Sequence, residues 1–405
     1  MPDHAAPEFP GLRDAAHAVQ PRTVALRRSL HRNPELGLRL PLTQAAVLSE
    51  LSDLPIKTHT GRTCGSVVGV LEGDRPGPTV LLRADMDALP LTEASGLPYA
   101  STVDGVMHAC GHDTHAAMLA SAARLLVDRR SDLAGRVLFM FQPGEEGLHG
   151  ARYMIDEGLL DASGPAGVPS LAYALHISAT MPSGTVQTRP GPLMAAHDSL
   201  RVTVHGRGGH ASAPHDALDP VPAAAAMVGA LQTMLTRRIS AHEPAVITVA
   251  QLRAGTTGNV IPETAFLEAT IRTLSDSTRA YLCEQAQLCC QYTAAAYGCS
   301  ASVRIDPGYP VTSNDTDAAA RIDGLAASVL GPSRVTPMNS PIMGSEDFSY
   351  VLARVPGALA FLGGCPPHLD PDSAAPNHSN RVQFDEAAMV DGVAMYAALA
   401  LDALR

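Results

Sequence analysis

The chain of 405 residues contains no tryptophan, and only 4% of its residues are aromatic, which argues against a surface for stacking nucleic-acid bases. Lys57 is its single lysine, and the net charge of -11 comes with no block of basic residues, so nucleic acid and membrane are not expected as partners. The seven cysteines lack the spacing of a disulfide framework, and no apolar run is long enough to span a bilayer. Residues 1–20 carry no apolar signal core. These absences predict a cytoplasmic protein.

The densest group of metal-binding side chains lies between residues 107 and 115, where three histidines accompany a cysteine and an aspartate. Cys110 and His112 are two positions apart, so in an extended segment both side chains point to one face. A thiolate and an imidazole on one face are suitable ligands for a divalent transition metal. The apolar run that follows predicts a helix over 113–129, whose N-terminus favours a thiolate. A packed cysteine beside surface histidines is the alternative interpretation of this segment alone.

Apolar β-branched runs alternate with helical patterns over 1–193 and again over 307–405. This alternation predicts an α/β domain with a mostly parallel sheet flanked by helices. Over 194–306 the order is strand, helix (220–238), strand, strand, helix, strand, which is typical of a ferredoxin-like (βαββαβ) domain inserted into the first. In the first domain, four polar residues follow predicted strands, where open α/β sheets bind ligands: Asp85, Glu145, Glu146 and His176.

Two adjacent carboxylates, Glu145 and Glu146, follow an apolar strand. Neighbouring side chains do not share a face, so one carboxylate can bind a metal while the other faces the substrate. A solvated acidic turn is the alternative. His176 at a strand end and His378 in a loop would ordinarily be a core and a surface histidine, and each gains a role only through the others.

Together these segments predict one site. Five protein ligands exceed the three of a single open catalytic zinc, so they favour two divalent ions, with Zn, Mn, Co and Ni as candidates. Glu145 is then free to act as general base. Asp85 and Asp113 are expected to orient ligand imidazoles, with capping of a turn or helix as the alternative for both. The predicted metal ligands are Cys110, His112, Glu146, His176 and His378.

Seven segments, in this order, resemble the M20 family of metallopeptidases and amidohydrolases, and in particular its N-acyl-amino-acid hydrolase branch, which includes hippurate hydrolase and indoleacetyl-amino-acid hydrolase. The resemblance covers nearly the whole chain. The segments are 30–36 (LHRNPEL), 82–90 (LRADMDALP), 108–115, 142–147 (QPGEEG), 206–215, 258–262 (GNVIP) and 377–380 (NHSN).

The resemblance implies a dinuclear catalytic domain and an inserted lid or dimerisation domain. It supports the five ligands and Glu145, and it implies that His210 of the lid helps to hold the oxyanion, with the tip of a glycine hairpin as the alternative. Asn259, between Gly258 and Val260, is expected to donate a second hydrogen bond to the substrate. Arg272 ends a predicted strand and is expected to bind a substrate carboxylate, with a structural ion pair as the alternative. Many M20 proteins have a metal-binding histidine two residues before the aspartate that corresponds to Asp85. This chain has Arg83 there, so Asp85 is expected to have no such histidine to orient, and the role of Arg83 is open. The role of 344–348 (GSEDF) is open as well.

The resulting hypothesis is a metal-dependent amidohydrolase that cleaves the amide bond of a small-molecule N-acyl amino acid, with water ionised by the metals and Glu145 as base. A homodimer or higher homo-oligomer is expected. Within the family, a dipeptidase, a carboxypeptidase or an N-acetyl-diaminopimelate-type deacetylase is the alternative. Outside it, the alternatives are a metal-independent cysteine amidase with Cys110 as nucleophile and a catalytically inactive binding protein.

Overall fold

The computed structural model describes residues 9–164 and 167–405, which divide into two compact units. The first unit comprises the chain up to Leu193, Ser313–Ser340 and Asp347–Arg405. The second comprises Met194–Thr312 and Pro341–Glu346, whereas the sequence predicts an inserted domain over 194–306. The assignment of a catalytic role to one unit and a lid role to the other stays a prediction.

The helices follow the apolar periodicity of the sequence closely. The segment predicted to be helical over 113–129 is helical from His112, and the one predicted over 220–238 has those bounds. In chain order the helices are α1 (Leu12–Arg32), α2 (Pro41–Leu51), α3 (His112–Asp128), α4 (Gly150–Asp156), α5 (Pro220–Arg238), α6 (Asp276–Ala296), α7 (Thr316–Val329), α8 (Ser349–Leu352) and α9 (Ala388–Ala403).

The strands include every β segment that the sequence predicted, and several short ones that it did not. In chain order they are β1 (Lys57–Thr60), β2 (Val67–Glu72), β3 (Arg75–Asp85), β4 (Ala134–Gln142), β5 (Leu171–Pro182), β6 (Val186–Gln187), β7 (Gly191–Met194), β8 (Ala196–His205), β9 (Gly209–His210), β10 (Ala245–Ala254), β11 (Val260–Ile261), β12 (Thr264–Thr273), β13 (Ser300–Pro307), β14 (Thr312–Asn314) and β15 (Gly357–Cys365).

The first unit contains a seven-stranded sheet in the order β1-β2-β4-β3-β5-β15-β6. The four central strands, β4, β3, β5 and β15, run parallel, and the outer strands pair antiparallel. The central strands are continuous apolar runs because both faces are covered; β15, for example, is buried along its whole length. The buried faces of α3 and α9 belong to the same core as these strands. The predicted α/β class with a mostly parallel sheet is confirmed.

The second unit has the predicted ferredoxin-like order β8-α5-β10-β12-α6-β13. Its four strands form an antiparallel sheet in the order β10-β12-β8-β13. Alternate residues of β8 and β12 are buried, because one face of the sheet packs against α5 and α6 in a separate core. Within this unit, β9 and β11 pair in a small additional two-stranded antiparallel sheet.

Among the helices of the described residues, every one is too short or too polar to cross a membrane.

Candidate dinuclear metal centre

The segment before α3 turns sharply at Gly111, which has a left-handed φ of 85° and precedes the first residue of the helix. A Cβ atom at this position would lie 2.5 Å from Cγ2 of Ile177, so only glycine fits. Cys110 and His112 therefore flank a turn into the N-terminus of the helix. Both side chains are buried.

Cys110 lies between two histidines from distant parts of the chain. Its Sγ is 3.5 Å from Nε2 of His176 at the end of β5 and 3.3 Å from Nε2 of His378. Oε1 of Glu146 is 3.2 Å from the same His378 nitrogen. The five predicted ligands form two groups that share the cysteine: Cys110, His112 and His176 in one, and Cys110, Glu146 and His378 in the other. In each group the potential ligand atoms lie within 4.8 Å of one another.

The imidazoles of His112 and His176 are oriented by main-chain oxygens. Nδ1 of His112 is 2.9 Å from the carbonyl oxygen of Asp87, and Nδ1 of His176 is 2.9 Å from its neighbour's carbonyl at Ile177. A carbonyl only accepts, so each Nδ1 donates and each Nε2 keeps its lone pair, the arrangement of metal-binding histidines. Nε2 of His112 is buried and makes no hydrogen bond to any described residue. That orphaned nitrogen fits a metal ligand.

The loop that carries His378 is attached to both other parts of the site. The side-chain amide of Asn377 donates to the carbonyl oxygens of Cys110 and Ile177 at 3.1 and 3.0 Å, and its oxygen accepts the N–H of Ala179 at 3.0 Å. The N–H of His378 donates to Ala109. His378 has a positive φ of 69°, which is uncommon for a residue with a side chain. This conformation is maintained because the loop is fixed on both sides.

The two carboxylates of the Glu145–Glu146 turn are positioned by Asp87. Its Oδ1 accepts the N–H of Glu145 and its Oδ2 accepts the N–H of Glu146, both at 3.0 Å. Glu145 is buried, and only Glu146 belongs to the group that contains Cys110 and His378. Both glutamates also belong to a further group with His112, in which one potential ligand atom from each residue lies within 4.8 Å of the others, so the turn brings both carboxylates to the site.

The ionisable groups at this centre shift the pKa values of one another. Burial opposes ionisation of Cys110, but the imidazoles of His176 and His112 outweigh it and hold the pKa of the thiol well below its usual value. Hydrogen bonds to Cys110 and Glu146 raise the pKa of His378 to about 10. Burial raises the pKa of Glu146. Cys110 and Glu146 thus lie within hydrogen-bond distance of imidazole nitrogens. The sulfur, nitrogen and oxygen donors fit a pair of divalent transition metals.

A third group of possible ligands, Asp85, His112 and His115, is occupied by other interactions. Nδ1 of His115 lies 2.5 Å from Oδ1 of Asp85, and its Nε2 accepts the N–H of Ile177 at 2.8 Å, so neither ring nitrogen is available. Asp85 Oδ2 is 2.8 Å from the guanidinium of Arg83 and 3.5 Å from Nε2 of His112. Position 83 holds an arginine and offers Asp85 no histidine, but His115 and His112 both face this aspartate.

Asp113 does not orient a predicted ligand imidazole within the described chain, and that prediction is corrected. Its side chain is fully buried and is directed towards α1, where Oδ2 lies 2.7 Å from Nε of Arg27 and 2.9 Å from Nδ1 of His31. The alternative of a helix cap does not hold either, because Gly111 is the N-cap residue.

Two of the predicted lid residues lie close together in the second unit. The pairing of β9 with β11 brings His210 and Asn259 together. Val260 pairs with His210, and the carbonyl of Asn259 accepts the N–H of Ala211. Nδ1 of His210 accepts from the hydroxyl of Ser212 at 2.7 Å, which leaves the other ring nitrogen exposed.

Arg272 is half-buried near the end of β12. Its guanidinium donates to the hydroxyls of Ser345 and Thr270 at 3.0 and 3.2 Å, and no described carboxylate lies within ion-pair distance. Burial lowers its pKa. A partly desolvated arginine without an acidic partner is suited to an anionic ligand, and the alternative of a structural ion pair is absent from the described contacts.

Sequence reasoning missed Asp87, His115 and Asn377, which position the site without belonging to the predicted ligand set. The signal was present for two of them: Asp87 follows Asp85 in the same strand-end segment, and Asn377 precedes His378. For His115 the histidine-rich segment offered a signal, but the spacing alone does not say which of its histidines binds metal and which supports.

Comparison with known proteins agrees with this geometry. Residues 81–402 match the model of Peptidase family M20/M25/M40. The chain is 36% identical to thermostable carboxypeptidase 2 of Saccharolobus solfataricus, covering 96% of this chain and 97% of that protein. It is also 36% identical to an N-acetylcysteine deacetylase of Bacillus subtilis, with 86% and 90% coverage. The crystal structure of a dinuclear metal binding M20 peptidase from Bacillus subtilis superposes with a TM-score of 0.81, 32% identity and coverage of 96% and 99%. The chain therefore belongs to peptidase family M20/M25/M40 and is a dinuclear metal-dependent hydrolase that acts on amide bonds.

Proposed function

We propose that this protein hydrolyses the amide bond between an acyl group and an amino acid that carries a free carboxylate, with Glu145 as the general base. The observation that carries the proposal is the sharing of Cys110 between two groups of ligand atoms, beside a buried carboxylate that belongs to neither of these two groups. Such an arrangement provides a place for water activation and a separate place for proton transfer.

The proposed ligands fall into two halves. Cys110, His112 and His176 would hold one ion, and Cys110, Glu146 and His378 would hold the other. When bound, the pair lowers the pKa of a water molecule to about 7 and polarises the carbonyl of the scissile amide. Asp87 fixes the turn through the main-chain N–H groups of both glutamates, and in the proposal Glu146 faces the ions while Glu145 faces the substrate.

Glu145 takes a proton from the attacking water and delivers it to the nitrogen of the leaving amino acid. Glu145 is buried, so bulk solvent does not compete for this proton. A single residue that moves the proton between these two atoms balances the reaction: the amide bond breaks, and a carboxylic acid and a free amine form.

In the second unit, Arg272 is proposed to bind the carboxylate of the substrate, and His210 and Asn259 to stabilise the oxyanion. The half-buried Arg272 guanidinium, with hydroxyl partners and no described acidic partner, supports the first role. The neighbouring positions of His210 and Asn259 at the paired strands β9 and β11 support their role at the oxyanion. Both features belong to this unit alone.

The substrate class follows from what the relatives share. A carboxypeptidase and an N-acetylcysteine deacetylase are both similar to this chain over most of its length. The carboxyl-terminal residue of a peptide is itself an N-acylated amino acid with a free carboxylate. The proposed reaction includes both cases, and the alternative of a peptidase differs from it in the acyl group and not in the chemistry.

We also propose that the protein forms a homodimer and that it is located in a reducing compartment. β10 is an edge strand of the second unit's sheet and exposes Val246 and Leu252, which supports strand-to-strand association. The structure describes every cysteine as a free thiol, which supports a cytoplasmic location.

The test uses the protein stripped of metal with a chelator and then supplied with Zn²⁺, Mn²⁺, Co²⁺ or Ni²⁺. N-acetyl and N-benzoyl amino acids, a dipeptide, and the corresponding carboxyl-terminal amides are assayed for release of the free amine. We expect turnover that requires metal and that falls sharply when the carboxylate is replaced by an amide. Activity that survives chelation and is abolished by iodoacetamide would instead indicate a cysteine amidase. If the protein hydrolyses none of these compounds, the proposal is contradicted.

A further inference from the structure

A chain of buried polar side chains crosses the carboxyl edge of the central strands, next to the proposed ligands. It begins where the pairing of β3 with β5 ends, at Arg83 and Ala174. Beyond this point β5 still has N–H groups on the β3 side that need acceptors. The hydroxyl of Tyr396 accepts from Leu175 at 3.2 Å, and Nε2 of His115 accepts from Ile177 at 2.8 Å. Side chains thus replace the missing strand pairing at the residues on either side of His176.

His115 can accept from Ile177 only in one tautomer. Its Nδ1 lies 2.5 Å from Oδ1 of Asp85, an acceptor, so the proton is on Nδ1 and the lone pair is on Nε2. His115 and Asp85 are both fully buried, and water does not compete for these bonds. The carboxylate of Asp85 therefore determines which ring nitrogen faces β5.

Asp85 is in turn held by Arg83, which is also buried. The guanidinium lies 2.8 Å from Oδ2 of Asp85, donates through Nε to Oε1 of Gln142 at 2.9 Å, and lies 3.3 Å from Oδ1 of Asp347. Asp347 also accepts from Nε2 of Gln142 at 2.6 Å and from the N–H of Ala151 at 2.9 Å. The guanidinium lies between two carboxylates, so the loss of either would remove one of the two charges that balance this buried cation.

We propose that Arg83, Asp85 and His115 are positioning residues for one half of the metal pair, the half formed by Cys110, His112 and His176. This inference rests on the proposed ligand set.

Two contacts direct the chain of side chains to that half. His115 fixes the main chain of β5 at Ile177, directly after His176, and Oδ2 of Asp85 is 3.5 Å from Nε2 of His112. Glu146 is positioned instead by Asp87, and the loop of His378 is positioned by Asn377. The same inference gives a role to Arg83 and to Asp347.

The test is a metal titration and not an activity assay. Metal-free wild-type protein and His115→Phe are titrated with Co²⁺, with calorimetry for stoichiometry and affinity and with the absorption of the cobalt–thiolate bond for Cys110. We expect wild type to bind two ions. The variant should bind one ion with wild-type affinity, through Glu146 and His378, and the other roughly 10–100-fold more weakly.

The matched control is His108→Phe, which also replaces a buried imidazole close to Cys110. Neither ring nitrogen of His108 has a hydrogen-bond partner among the described residues, so both ions should bind as in wild type. An equal loss in His108→Phe would overturn the inference, because any change of a buried ring here would then have the same effect.

If His115→Phe fails to fold by circular dichroism, Asp347→Asn at the far end of the chain of side chains replaces it, with a smaller loss expected at the same half. Two ions bound with unchanged affinity, or both weakened equally, would overturn the inference. Failure of the wild-type protein to bind two ions would count against the ligand set itself, so the two proposals fail in different measurements.

Discussion

The carboxylate of Asp87 accepts the main-chain N–H of Glu145 at 3.0 Å while its second oxygen accepts the N–H of the next residue. One side chain thus fixes the turn that carries both the proposed general base and the proposed metal ligand Glu146. The carbonyl of the same residue accepts from His112. A residue outside the proposed ligand set therefore positions both carboxylates and an imidazole.

Asp87→Asn is expected to lower kcat roughly 10–100-fold, the usual effect of disturbing a group that orients ligands. The amide nitrogen of asparagine would face one of the two N–H donors, and the turn would shift. Steady-state kinetics on an N-acyl amino acid measures the effect. Asp104→Asn, which changes an exposed aspartate, is the control. Unchanged kcat in Asp87→Asn would show that the turn holds its shape without this carboxylate.

Glu145→Gln is expected to keep both metal ions and to lose turnover by a factor of about 10²–10⁴, the contribution typical of general acid–base catalysis. The amide has nearly the same shape but does not take a proton at neutral pH. Elemental analysis gives the metal content, and single-turnover kinetics gives the rate. Activity equal to wild type would remove Glu145 from the mechanism, and loss of metal would move it into the ligand set.

Arg272→Gln is expected to raise KM about 10–100-fold for substrates with a free carboxylate, because a charged hydrogen bond of about 1.5–3 kcal/mol is lost. KM for the matching carboxyl-terminal amide should change little, since that group carries no charge for the guanidinium to bind. Arg253→Gln, an exposed arginine of the same unit, serves as the control. An equal rise in KM for acid and amide would contradict the assigned role.

Glu93 provides a pH-dependent contribution to stability. Burial would raise its pKa, but hydrogen bonds with His31, the N–H of Ser101 and the hydroxyl of Ser95 outweigh it and lower the pKa to about 2, from a usual 4.5. Because the folded form holds the proton less tightly than the unfolded form, the stabilisation is complete above pH 4.5 and is lost as the pH falls towards 2.

Glu93→Gln should therefore reduce the free energy of unfolding at pH 7, and the difference from wild type should shrink between pH 4.5 and 2. Urea unfolding of the metal-free proteins at several pH values measures it. Glu284→Gln, at an exposed position, should show no such trend. A difference between Glu93→Gln and wild type that is constant with pH would mean that Glu93 contributes through packing and not through its charge.

Much of the fold could be predicted from the sequence because it depends on local periodicity. The helix over 220–238 has its predicted bounds, with Asp219 capping its first turn, and the strands that end near the site follow apolar runs. Short elements such as β9 and β11 were not predicted, because two residues are too few to show a period. Their pairing is long-range and depends on the glycine-rich turn before His210.

The sequence by itself determined which kinds of ligand this protein has and roughly where along the chain they lie, because thiol, imidazole and carboxylate chemistry is a property of residue type. The tertiary structure decided what each of them does. His112 and His115 are three residues apart, yet Nε2 of His112 makes no hydrogen bond within the described chain, while Nε2 of His115 accepts from Ile177. Asp85 and Asp113 are both buried aspartates, yet one faces the site and the other faces α1. The physical reason is that hydrogen-bond partners distant in sequence fix the direction of a buried polar side chain, and only the folded chain brings those partners together.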